Sequence, residues 1–240
     1  MRWPQAPFGR VLSRRRLRLA AQRYADHGWA VTPGGFFNGR RMACDRPDCL
    51  ATSCHPLLDD WELRSSTATA QLDDWWSERP HAVLLPAGRA FDAIEVPALL
   101  GMRAVCGPPT GPGRATSAGR VRGPVAVTAA GRWTFLMRSG GTLASELDHR
   151  VDIVRHSLGS WIPAPPTVLP EGPVRWQVSP QQVDWRLPDP EELQLALVRA
   201  LVALDAAFLD LPVNARRRLA PPMLTRPVGL KPTPTLRRAV

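Results

Sequence analysis

The sequence predicts an α+β fold: a small, mostly antiparallel sheet with helices packed on it, then a late helix and a disordered tail. Three observations carry this. Short apolar runs of strand length, bounded by Gly and Pro, alternate with segments of helical period. Two such runs near residues 125–137 flank a small-residue turn and read as a hairpin. The 26 prolines in 240 residues force short segments divided by turns. An apolar fraction of 44% leaves enough chain to bury a real core in one large domain or two small ones.

The elements follow in order. After a basic run from Arg10 to Arg18, Leu17, Leu19, Ala20, Ala21, Tyr24 and Ala25 fall mainly on one helical face, and Gly28 is placed to end the helix. Trp29–Thr32 reads as a strand closed by Pro33-Gly34-Gly35, and residues 36–60 as a loop rich in Cys, Asp and Pro. A helix is expected from Thr69 to Glu78, with Leu72, Trp75 and Trp76. Strands follow at Ala82–Leu85 and Ala90–Val96, the second ended by Pro97. Residues 107–123 read as a flexible loop. Val125–Val127 and Trp133–Met137 form the hairpin around Ala129-Ala130-Gly131, and Ser160–Ile162 is another strand. Asp189 caps the late helix, Pro190 suits its first turn, and Glu191 and Glu192 favour its positive end. Leu193, Leu197, Leu201, Leu204 and Phe208 make one stripe expected to be buried. From Pro212 onward apolar periodicity stops and disorder is expected.

A net charge of +10 points to an acidic partner, with nucleic acid the usual one. Only Lys231 is lysine among the 31 basic residues. That skew suits phosphate, which arginine's planar fork binds well, and it equally fits a GC-rich coding sequence. No stretch reaches the ~18 apolar residues of a membrane span. Met1-Arg2-Trp3-Pro4 shows no export signal, so a cytoplasmic protein with no membrane partner is expected.

Cys44, Cys49, Cys54 and His55 follow a C-x4-C-x4-C-H pattern. Zinc favours four thiolate or imidazole ligands in a tetrahedron, which a short loop can wrap. In a reducing compartment clustered cysteines mean metal more often than disulfide. Ordinary loop thiols are the other reading, and adjacent Cys54-His55 would need an unusual bite. Cys106, alone, reads as a buried small apolar residue.

Several segments together resemble the bifunctional DNA primase/polymerase (prim-pol) N-terminal family of the archaeo-eukaryotic primase superfamily. Ala21-Gln22-Arg23-Tyr24-Ala25-Asp26-His27-Gly28-Trp29-Ala30-Val31 is similar to the family's opening. Ser53-Cys54-His55-Pro56 falls where actinobacterial members carry a Gly-Lys-His-Pro-like end to a cysteine-rich loop. Trp75-Trp76-Ser77-Glu78-Arg79-Pro80 resembles the helix end before the first core strand. Gly159-Ser160-Trp161-Ile162-Pro163-Ala164-Pro165-Pro166-Thr167 resembles the late Gly-Gly-Tyr strand and Pro-Pro-Ser turn. The likeness spans roughly residues 20–170. It implies a primase/polymerase-like domain over residues 20–187, after a basic segment at 1–19. A helix at 188–211 would pack on that domain, ahead of a basic Pro-rich tail at 212–240.

The resemblance also implies template-directed nucleotidyl transfer on Mg²⁺ or Mn²⁺, acting on DNA and nucleotides. That chemistry needs carboxylates converging on two metals about 3.5–4 Å apart. The family's acids alternate on one strand, leaving from one face. The matching positions here are Glu95 and Pro97, so one acid has become proline. Asp92, three residues from Glu95, would face the other way. Trp133 takes the place of a phosphate-holding histidine, beside Arg132. A third acid position aligns with Val154, or with Asp152 after a two-residue shift. Glu95 and Asp152 are therefore the candidate catalytic acids. Arg132, Trp133, Arg155 and His156 are the candidate nucleotide or DNA contacts. Solvated or structural roles for Arg132 and His156 stay open beside these.

The expected function is a divergent family member that binds nucleotide or DNA with weak or absent nucleotidyl transfer. The alternatives are an active enzyme using Glu95 and Asp152 on divalent metal, and a non-enzymatic interaction module with a zinc loop. No G-x-x-x-x-G-K-[ST] motif is present, so a strand-opening helicase or other replication partner would be a separate protein. Most of the nine tryptophans read as core, the acidic pairs Asp59-Asp60 and Asp73-Asp74 as capping or solvated. Ser145, Asp148 and His149 lack the context of a hydrolase triad.

Overall fold

In the computed structural model, which describes residues 7–107 and 122–210 except 45, 47, 48, 50 and 52, the basic run and the apolar stripe form one helix. This helix, α1 (Pro7–Ala25), buries Leu17, Ala21, Tyr24 and Ala25, whereas Leu19, expected with them, lies off that face and is exposed, and Ala20 is half-buried. Gly28, at φ +77°, ends it in a conformation that side chains with a Cβ rarely adopt. The chain divides into two units, residues 1–202 and 203–240. The disorder expected from residue 212 onward and most of the 107–123 loop lie outside the described residues.

The strand expected at Trp29–Thr32 sits further along, as β1 (Thr32–Gly34), with Val31 bridged to Ser66. Pro33 was expected to stop this strand and instead lies inside it. β1 is an edge strand, where a residue without an N–H breaks no ladder. The loop expected at 36–60 contains a hairpin, β2 (Phe36–Phe37) and β3 (Met42–Ala43), turned by Asn38, whose Oδ1 accepts the Arg40 and Arg41 N–H groups. A single-turn helix α2 (Trp61–Arg64) follows, and Asp60 before it makes no side-chain cap.

Helix α3 (Thr69–Trp75) ends at Trp76, whose indole is 1% exposed and donates to the His81 carbonyl at 2.8 Å. Trp75 beside it is half-buried. β4 (Ala82–Pro86) is buried throughout, as its unbroken apolar run requires. It lies between β1 and β9 (Trp161–Pro163) in a three-stranded antiparallel sheet. α1 packs against α3 and β4.

The second sheet has five strands. β5 (Asp92–Pro97) runs through Pro97 into a helix that no apolar periodicity announces, α4 (Ala98–Cys106). β6 (Val125–Val127) and β7 (Arg132–Met137) are the expected hairpin. After a short α5 (Ser145–Asp148) comes β8 (Val154–His156). β10 (Val168–Leu169) and β11 (Gly172–Pro173) form a small ladder, and β12 (Arg175–Val178) joins the large sheet. The order is β12-β6-β7-β5-β8, and every pairing among the described strands is antiparallel.

Core residues from both sheets meet: Val83 and Leu85 of β4, Ala93 of β5, Leu136 of β7 and Ile162 of β9, with Tyr24, Trp29 and Trp76 beside them. Each large apolar side chain buried here contributes roughly 1.5–3 kcal/mol. The last helix, α6 (Pro190–Leu209), starts as expected, with Asp189 Oδ1 accepting the Glu191 N–H at 2.8 Å. The stripe expected to be buried along it is so only for Leu193, Leu197 and Leu201. Leu204 is half-buried and Phe208 is 40% exposed. No described helix is long and apolar enough to cross a membrane.

Candidate functional site

Strand β5 sorts the candidate residues by face. Side chains alternate along a strand, so Glu95 and Pro97 leave one face and Asp92, Ile94 and Val96 the other. Directly opposed residues of an antiparallel pair share a face. Glu95 lies opposite Thr134 and Val154, Pro97 opposite Arg132, and Ala93 opposite His156. Arg132 and His156 therefore come to Glu95, while Trp133 and Arg155 go to the far side.

Both Glu95 oxygens are engaged. Arg132 Nε donates to Oε1 at 2.6 Å, and His156 Nε2 lies 3.3 Å from Oε2. Arg132 also donates through Nη2 to the Asp152 carbonyl at 2.8 Å. Because a carboxylate only accepts, this contact places a proton on His156 Nε2, and Nδ1 meets Ser160 Oγ at 2.8 Å. Ser160 was not among the expected site residues, although it sits in the Gly159-Ser160-Trp161 segment.

Asp152 brings its backbone to the cluster. Its exposed carboxylate lies 3.3 Å from Arg150 Nε. Trp133 packs against α4, where a Cβ on Gly101 would fall 2.5 Å from the ring; the bare backbone of Gly101 is what makes room for the indole. Arg155 Nη2 donates to Asp92 Oδ2 at 2.7 Å and to the Gly140 carbonyl at 3.2 Å.

The His156 hydrogen bond first, and then Arg132, hold the Glu95 carboxyl below its ordinary value of 4.5 against the opposing effect of burial. A depressed folded-state pKa stabilises the fold above the unfolded value, and this contribution disappears as pH falls through the folded value. Urea midpoints of the wild type should therefore fall on acidification below about pH 4.5 more steeply than those of Glu95→Gln. Parallel curves would mean that His156 and Arg132 do not act on this carboxylate.

A second cluster lies on the β3–α2 connection. Ligand atoms of Cys44, Cys49 and His55 all lie within 4.8 Å of one another, the one such group of His, Cys, Asp or Glu among the described residues. His55 Nδ1 meets the Ser53 carbonyl at 2.8 Å, so Nδ1 carries the proton and Nε2 keeps its lone pair, 3.3 Å from Cys49 Sγ. The Ala51 N–H and then Cys44 lower the Cys49 pKa, whereas burial leads the rise at Cys44. This donor set fits a soft or borderline metal ion.

Cys54 is not brought into this group. It packs with Met42, Ala82 and Leu84 on one side and with Ala126, Leu169 and Val174 on the other. Burial pushes its thiol up to about 12, the opposite of what a metal thiolate needs. Cys106, expected to be buried, is exposed.

Compared with known proteins, the chain matches the family model for the bifunctional DNA primase/polymerase, N-terminal domain over residues 21–194. No curated protein matches it.

Proposed function

Starting from the chain's membership of the bifunctional DNA primase/polymerase N-terminal family, we propose that it binds DNA or nucleotide with weak or absent nucleotidyl transfer. The observation that carries this is the pairing of both Glu95 oxygens with cationic or N–H donors, beside a proline at the alternate position. Two-metal transfer needs free carboxylate oxygens converging on the ions. Here the one acid on that face neutralises Arg132, and Asp152 offers a carbonyl in place of a carboxylate. Arg132 and His156, on the Glu95 face, carry N–H donors of the kind that suit phosphate.

The test is nucleotide incorporation on primed and unprimed single-stranded DNA with Mg²⁺ or Mn²⁺, beside Glu95→Ala. The expected result is no incorporation above that variant, with DNA binding that weakens steeply as salt rises. Incorporation lost in Glu95→Ala would overturn the reading. A folded protein that binds neither DNA nor nucleotide would leave an interaction module as the answer.

We further propose that Cys44, Cys49 and His55 supply three of the four ligands of a zinc ion, with Cys54 outside the site. Zinc bound there would tie the β2–β3 hairpin to the following loop. Protein purified under reducing conditions should carry about one zinc per chain. Cys49→Ser should lose it and Cys54→Ala should keep it. Equal zinc loss in both variants would return Cys54 to the ligand set, and metal-free wild type would remove the site.

A further inference from the structure

Helix α1 carries arginines on both flanks of its buried stripe, and the two flanks differ. On one, Arg14 donates to the Glu78 carbonyl at 3.1 Å and Arg18 lies 3.6 Å from Asp73. On the other, Arg16 and Arg23 are exposed and make no ion pair among the described residues. Arg16, Leu19, Ala20 and Arg23 fall at i, i+3, i+4 and i+7, so they line one helix face.

That face, with Tyr24 of the same helix, forms one wall of an open cavity of about 360 Å³, whose other wall is made by Pro165, Pro166, Trp176 and Gln181. The polar ends of its aromatic residues are already used. Tyr24 donates to the Pro165 carbonyl at 2.6 Å, and Trp176 Nε1 donates to the Tyr24 hydroxyl at 3.1 Å. Apart from the Gln181 side chain, what the cavity offers a ligand is therefore mostly flat apolar surface, bracketed by two cations. Its volume lies near the lower end of the ~300–1,000 Å³ usual for small-ligand sites, room enough for a single planar base. None of its residues belongs to the Glu95 cluster or to the Cys44–His55 cluster.

We propose that this cavity is a separate contact site for single-stranded nucleic acid, taking one unpaired base between Trp176 and the helix face and the flanking phosphates on Arg16 and Arg23. The two arginines are two helical turns apart, about 10.5 Å along the axis. A free mononucleotide carries its charge on one side of the base, whereas a strand carries a phosphate on each side. Stacking of this kind tolerates any base, because every base has a π face. The site extends the DNA-binding reading above and rests on it only in needing the chain to bind nucleic acid at all.

The experiment is fluorescence anisotropy of a labelled oligo-dT strand across a salt series, using wild type, Arg16→Ala/Arg23→Ala and the surface control Arg64→Ala/Arg199→Ala. The cavity pair should weaken binding roughly tenfold, with the slope of log K against log salt falling by about 1.4, or 0.7 for each lost phosphate contact. The control pair should change binding by less than about threefold. Equal losses from both pairs, or none from the cavity pair, would overturn the site while leaving the proposed function standing. A duplex that competes as well as the single strand would overturn it too, since paired bases cannot enter. A wild type that binds no strand would overturn the site as well, and only a further failure to bind nucleotide would take the proposed function down with it.

Discussion

Replacing Arg155 by alanine is expected to destabilise the fold by about 3–5 kcal/mol, among the largest losses any single exposed-to-buried charge pair here can give. Asp92, its partner, is 2% exposed and sits at the start of β5 in the large sheet. The pair is end-on: one Arg155 Nη2 serves one Asp92 oxygen, while Asp92 Oδ1 and Arg155 Nε are buried without a partner. Without the guanidinium, Asp92 would keep only the Gly140 N–H, at 3.3 Å. Asp92→Leu/Arg155→Met, which removes both charges, should recover most of that loss, because a buried pair contributes little net stability against apolar residues of similar volume. Chemical denaturation of both single variants and the double checks this. If Arg155 were instead a phosphate ligand, Arg155→Ala would weaken nucleotide binding and leave the denaturation midpoint nearly unmoved.

That contrast bears on how much of the site the sequence could show. Parity along β5 separates Asp92 from Glu95 without any coordinates, because residues three apart on a strand face opposite ways. Parity cannot say which strand lies alongside. Arg132 and His156 reach Glu95 across sequence separations of 37 and 61 residues, and only the register of β7 and β8 chooses them over their neighbours Trp133 and Arg155. A register one residue different would exchange the two pairs. The adjacent Cys54 and His55 pose the same problem in a loop: one turns into packed apolar side chains and the other toward Cys44 and Cys49.

The fold was legible wherever a period or an unbroken apolar run was present, as in α1, α3, β4, the β6–β7 hairpin and the start of α6. It was not legible in α4, where Ala98-Leu99-Leu100-Gly101-Met102 is apolar all round and Pro97 reads as a stop. In the structure Pro97 is both the last residue of β5 and the cap position of the helix. Strand β12 pairs exposed with half-buried residues and has no apolar run to announce it. The β2–β3 hairpin did carry a signal, Asn38-Gly39, but with only two strand residues on either side. Asp184 and Trp185, at φ 51° and 58°, could not be foreseen either. The turn they make sets Trp185 flat on His27, centroids 3.6 Å apart, and edge-on to Trp29.

Gly88→Ala should be comparably damaging, by about 2–5 kcal/mol, and for two separable reasons. Gly88 adopts φ +91°, which costs any residue with a Cβ roughly 1–2 kcal/mol. A Cβ there would also lie 2.2 Å from the backbone nitrogen of Leu158 and 2.4 Å from its Cα. That neighbour is backbone in the turn joining β8 to β9, so it cannot swing aside as a side chain could. Overpacking of this kind adds about 1–3 kcal/mol. Gly28 supplies the control, since its φ is +77° but nothing lies within 4 Å of an added Cβ. Gly28→Ala should therefore show the conformational cost alone, and the difference between the two variants measures the contact. The contact matters to the site because the β8–β9 turn carries Ser160, whose hydroxyl meets His156, and accepts the Ala87 N–H at the Ser160 carbonyl. A Gly88→Ala protein that stays folded should thus also lose part of the pH dependence that separates wild type from Glu95→Gln, whereas Gly28→Ala should retain it. Equal destabilisation by the two alanines would mean that the β8–β9 turn yields freely, and that His156 is not held in place from that side.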